Sequence, residues 1–205
     1  MHKKLIMACM AVASFAAFVV APAASASPVL TEAGTPVAVG AAIEGRNTGV
    51  IKFTGAYAVD CSSAILKGTL TKNSGTKIEG TIPVGGATFT GTGTGGDCTS
   101  ALGSTKVTVN SELCLASGTT DNFVVTGCGA AAVVFTLEVT GTGPCKYSTA
   151  AVNGTFNTNV MPATVNVSEQ EAKKIEGGFF CPSSGKLDMD FDLYTTGTNT
   201  GLTIS

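Results

Sequence analysis

Residues 133–140 place Val133, Phe135, Leu137 and Val139 in one phase and Val134, Thr136, Glu138 and Thr140 in the other. The same period of two runs through residues 187–194. There Leu187, Met189, Phe191 and Leu193 alternate with Asp188, Asp190, Asp192 and Tyr194. Successive side chains of a strand point to opposite faces, so this pattern describes strands with one buried and one wet face. Weaker alternation lies around residues 51–53, 64–70, 78–84, 107–109, 123–125 and 163–167. A chain patterned in this way builds sheets.

Turn-forming residues separate these runs. Asn73-Ser74-Gly75 sits where a hairpin would close between a strand ending near Thr71 and one starting near Thr76. Gly85-Gly86 and Gly95-Gly96 break the next stretch, and Gly127 and Gly129 flank Cys128. Short strands at this spacing predict an all-β fold, an antiparallel sandwich or barrel-like sandwich. Ser168 with Glu171 has the form of a capping box, which predicts one helical turn over residues 169–174, ended by Gly177-Gly178. A membrane-spanning barrel needs an apolar outer face all round. The wet phases here carry Thr, Lys, Glu and Asp, so a water-facing fold is expected.

The first residues predict export. Lys3 and Lys4 precede an apolar run from Leu5 to Val20, and Ala24-Ser25-Ala26 offers the small-x-small pattern of a cleavage site before Ser27. A retained anchor needs about 20 apolar residues, and this run is shorter and ends at Pro22 and small residues. The expected organisation is a helical signal peptide over 1–26 and one secreted β domain over 27–205. Removing the leader takes away Lys3, Lys4 and no acid, leaving 10 basic and 14 acidic side chains, a balance of −4. Nucleic acid and anionic membrane surfaces require a clustered positive face, so neither is an expected partner.

Of seven cysteines, Cys9 lies in the leader and Cys61, Cys98, Cys114, Cys128, Cys145 and Cys181 follow it. An even set in an exported chain predicts disulfides, although six cysteines allow fifteen connectivities. Sequential pairing is expected: Cys61 with Cys98, Cys114 with Cys128, and Cys145 with Cys181. Each bond would stabilise by about 3–4 kcal/mol on the chain-entropy account. No C-x-x-C pair occurs and the single histidine, His2, lies in the leader. Zinc sites, Ser-His-Asp triads and Cys-His pairs therefore lack their parts, and no cofactor is expected.

Asp188, Asp190 and Asp192 are the one concentration of charge with a regular spacing. On a strand they share a face, roughly 6.5–7 Å apart. A Ca²⁺ site would use such oxygens, but its ligands converge from a curved loop. A solvated face neutralised by Lys146, Lys173, Lys174 or Lys186 is the expected reading. Paired carboxylates could also hydrolyse glycosides, with Asp188 or Asp190 opposite Glu138 or Glu176. Sugar-gripping sites favour aromatic platforms, and this chain has no Trp and three Tyr. Gly91-x-Gly93-x-x-Gly96 matches a dinucleotide fingerprint in form only, since no helix follows. Gly185-Lys186 lacks the spacing and the hydroxyl of a phosphate loop. Both are expected to be turns.

Several segments carry a family likeness. They are Ser27-Pro28-Val29-Leu30-Thr31-Glu32, Val59-Asp60-Cys61-Ser62-Ser63 and Gly141-Thr142-Gly143-Pro144-Cys145-Lys146-Tyr147. Cys181-Pro182-Ser183-Ser184-Gly185-Lys186-Leu187-Asp188-Met189 and the closing Leu202-Thr203-Ile204-Ser205 complete the set. In these the chain resembles a family of exported, cysteine-containing β proteins of actinobacterial type, for which no activity is known. The resemblance implies an exported disulfide-bonded β fold and assigns no functional residue. The expected function is thus non-enzymatic: a secreted or cell-surface protein that binds an extracellular ligand or surface component, or builds structure. The alternatives are the carboxylate glycoside hydrolase and a carrier of an apolar small molecule held in the interior. Self-association through a terminal strand at residues 201–205 is a further expectation.

Overall fold

Alternation and turn chemistry become strands through most of the described residues of the computed structural model. It describes residues 28–205 apart from 56, 75, 76, 119, 120 and 159. The expected signal peptide over 1–26, its helix and its cleavage point lie outside the described residues.

The strands in chain order begin with β1 (Leu30–Glu32), β2 (Thr35–Pro36), β3 (Ala42–Asn47), β4 (Ile51–Thr54) and β5 (Val59–Cys61). There follow β6 (Ser63–Ser74), β7 (Lys77–Ile82), β8 (Ala87–Thr90), β9 (Cys98–Ser100) and β10 (Gly103–Val109). Next come β11 (Leu113–Ser117), β12 (Asn122–Gly127), β13 (Val133–Val139) and β14 (Gly143–Thr149). The last are β15 (Val152–Asn157), β16 (Thr164–Glu176), β17 (Ser184–Thr195) and β18 (Leu202–Ile204).

The pairings close on themselves twice. One ring runs β3-β17-β16-β15-β12-β11-β7-β6 and returns to β3 through the β3–β6 ladder. A second runs β17-β4-β5-β9-β10-β13-β14-β16 and returns through the β16–β17 ladder. All of these pairings are antiparallel, and closure leaves each ring without a free sheet edge. The two rings share the long β16–β17 ribbon and follow one another along it. Ring one takes residues 164–166 of β16 and 191–195 of β17. Ring two takes residues 173, 174 and 176 of β16 and 186–188 of β17. The result is the barrel-like sandwich expected from the period of two.

Where the rings meet, the ribbon carries a bulge between Val167 and Gln170, with Glu169 at φ 51°. This corrects the expected helical turn over 169–174. Ser168 and Glu171 have cap-like spacing, but β17 supplies a full ladder on one side, and the pairing overrides the local preference. The extra residues bend and twist the strand instead. Gly185-Lys186, expected as a turn, lies inside β17, while Gly91-x-Gly93-x-x-Gly96 does form a loop ending in a single 3-10 turn. The expected hairpin joins β6 to β7, but β6 continues through Asn73 and Ser74, which pair with Ile78 and Lys77.

The far end of ring one is closed by a small sheet in the order β18-β1-β2. Its Leu30, Leu202 and Ile204 are buried. The buried Asn73 ties it to β6. Its Oδ1 accepts the Leu30 amide at 2.8 Å, and its Nδ2 donates to the Leu30 and Val37 carbonyls at 2.7 and 2.9 Å. A side chain so engaged leaves few buried backbone groups of β1 without partners.

Candidate functional site

The three disulfides join Cys61 to Cys98, Cys114 to Cys128 and Cys145 to Cys181, the sequential pairing expected. The first links β5 to β9 and the third links β14 to the β16–β17 connection, so both staple ring two. The second fastens β11 to the turn after β12 in ring one. Such bonds belong to an oxidising compartment. Among the described residues no helix is long and apolar enough to cross a membrane.

The acidic stripe is a wet face. Asp188 accepts the Glu169 amide at 2.8 Å and Asp190 accepts from the Asn166 side chain. Asp192 accepts from Tyr194 Oη at 3.5 Å. Burial pushes the Asp192 carboxyl above its ordinary range, and the Tyr194 bond partly opposes the shift. The expected lysine partners need correction. Opposite Asp188 and Asp192 in the ladders stand Lys52 and Arg46, whereas Lys186 pairs with Glu169 at 3.2 Å and Lys146 with Glu176 at 3.7 Å. Glu138 is exposed on β13, opposite Lys106 of β10. Asp188, Asp190 and Glu176 each engage a group other than a carboxylate. Among the described residues no group of three or more Cys, Asp, Glu or His is placed to hold a metal ion.

Apolar side chains make up the interior cluster, and the two rings differ in what fills them. Ring two is packed with Phe53, Phe135 and Tyr147, whose ring centroids lie 4.9–5.7 Å apart. Tyr147 is fully buried, its hydroxyl donates to the Pro182 carbonyl at 3.1 Å, and burial drives its acidity well below that of a free phenol. Tyr57 closes the same region with its hydroxyl 3.5 Å from Cys145 Sγ.

Ring one carries glycine at inward positions. In its ladders Gly45 stands beside Leu66 and Leu193, Gly68 beside Ile43, and Gly80 beside Leu70 and Leu115. Small barrels often alternate small and large inward residues to fit their taper. Here Gly45 leaves room for an added Cβ, whereas at Gly68 a Cβ would stand 2.5 Å from the Thr81 carbonyl, so that glycine lets two strands approach closely. A void of about 110 Å³ lies among Gly45, Gly68, Gly80, Leu70, Phe156 and Ile204, with Thr69 and Thr81 its hydroxyl-bearing neighbours.

A second void, of about 130 Å³, lies where the rings meet, against Phe53, Phe135, Leu137, Val167, Leu187 and Met189. No charged side chain lines either space, and five side chains line both: Leu66, Ile82, Leu115, Val165 and Phe191. Apolar voids of roughly this size, about 150 Å³, stay dry and take up benzene or xenon. Period-two phasing in Ile43-x-Gly45, Leu66-x-Gly68-x-Leu70 and Ile78-x-Gly80-x-Ile82 is the sequence signal that marks this interior. Reading every glycine as a turn conceals it.

The strand expected to mediate self-association, β18, stands at one end of the small sheet. β18 pairs with β1 and gives its Leu202 carbonyl to the Ala163 amide at 2.6 Å, with Leu202 and Ile204 buried. Comparison with family models, curated proteins and solved structures finds no match.

Proposed function

We propose that this chain is a non-enzymatic protein of the space outside the cytoplasmic membrane, secreted or held at the cell surface, that carries an apolar small molecule. The observation that carries the reading is the paired interior void, walled by apolar side chains with five of them common to both parts. Filling such a space removes apolar surface from water and restores the contacts its lining lacks. Three disulfides and the exported-type leader support the location, as does the resemblance to exported actinobacterial proteins.

Native mass spectrometry of protein purified from its own host tests the reading. A bound mass that leaves on extraction with organic solvent is the expected result. Bare protein in every preparation, with no rise in melting temperature on adding small apolar compounds, would contradict it. Hydrolysis of polysaccharides that disappears in Asp188→Asn and Asp190→Asn variants would replace it with the enzyme.

A further inference from the structure

The geometry points to an unbranched hydrocarbon chain as the ligand, lying lengthwise through both rings; this rests on the carrier reading above. The voids succeed one another along the β16–β17 ribbon, from Phe53 and Phe135 in ring two to Leu30 and Ile204 beneath ring one. Because the same five side chains line both, the partition between them is one side chain thick. A polymethylene chain is the narrowest apolar body and passes that partition with the least displacement. A fused ring would have to push apart ladders that close on themselves, and closed, densely packed walls yield poorly. Polar substituents are disfavoured as well. The space where the rings meet offers them no hydrogen-bonding side chain, and an unpaired buried polar group is costly.

Gly45 sets the length. It lines the void beneath ring one and has no part in the other. A Cβ built there meets Leu66 and Phe191 at 3.6–3.7 Å, ordinary contact distances, so alanine fits without a clash. A leucine there, rooted beside Leu66 and Phe191, takes room in that void just past the partition and shortens the chain that can follow, while Gly45 lines no part of the space beside Phe53 and Phe135.

The test is headspace partitioning of n-alkanes from pentane to dodecane, and of benzene, over the processed full-length protein. For the parent, affinity climbs about fourfold per added methylene until both voids are full, then stops climbing. In Gly45→Leu the break falls at a shorter alkane while benzene is retained as before. In Gly45→Ala, the variant kept in case leucine prevents folding, the break moves by less. A break at one length in the parent and in every folded variant overturns the inference. So does retention of benzene without any alkane, which leaves the carrier reading standing. Retention of neither removes both.

Discussion

The two rings share a ribbon and differ in how they are filled. Ring two is the more heavily stapled: Cys61–Cys98 and Cys145–Cys181 cross it, and Phe53, Phe135 and Tyr147 pack within it, with Phe53 and Phe135 also bounding the larger void where the rings meet. Ring one has one disulfide closing a short loop, glycine at inward positions of β3, β6 and β7, and a lid of β1 and β18 held by Asn73. Loss of inward side chains weakens a core, because lining atoms forfeit their dispersion contacts. Covalent links concentrated at ring two hold walls that enclose space both where the rings meet and beneath ring one. The contrast teaches that covalent stapling is concentrated in one ring while the open space extends from that ring into the other.

The largest expected effect comes from the sulfur bridges. The Cys145–Cys181 bond spans 36 residues and the Cys114–Cys128 bond 14. Replacing the first pair by serine should lower unfolding free energy by about 4 kcal/mol, and the second by about 3 kcal/mol. Guanidinium unfolding midpoints of the two variants would check the order. Equal losses, or a greater loss in ring one, would break the contrast.

Glycine replacements sharpen it. An added Cβ at Gly185 would overlap the Phe53 ring and approach the Thr54 carbonyl, whereas at Gly45 it makes ordinary contacts. Gly185→Ala should therefore destabilise by about 2 kcal/mol through overpacking. Gly45→Ala should stabilise by about 0.5 kcal/mol, since the unfolded chain loses freedom and the native backbone needs no change. Thermal melts of both variants give the comparison directly.

The smallest effect concerns pH. Burial raises the Asp192 carboxyl in the folded state, so folding favours its protonated form. Its contribution to stability then falls as pH rises from the unfolded-state value through the raised folded one. Asp192→Asn should be more stable than the parent at neutral pH, with the difference vanishing in acid below the ordinary carboxylate range. Urea titrations at the two pH values would show whether the difference has this sign.

Strand phase was legible in the sequence wherever apolar residues were large, as in Val133, Phe135, Leu137 and Val139, all buried. Cysteine parity and order also pointed to the three bonds found. Ring closure was not legible, because the β3–β6 and β16–β17 ladders depend on partners brought together by the whole fold. Ser168 and Glu171 misled for a related reason: their local cap chemistry is real in an isolated segment, but β17 offers a ladder that outweighs it. Gly185 misled because glycine serves close approach in a strand as well as reversal in a turn. The void was half legible. Its glycines share a phase with large apolar neighbours, yet only the closed ring shows that they face one another.

Diffraction from crystals held under xenon pressure tests most directly whether the interior is dry, apolar and open. The account requires xenon at two positions, one beside Phe53 and Phe135 and one beside Gly45 and Gly80. Ordered water hydrogen-bonded in those places, or side chains collapsed into them with no gas bound, would contradict it.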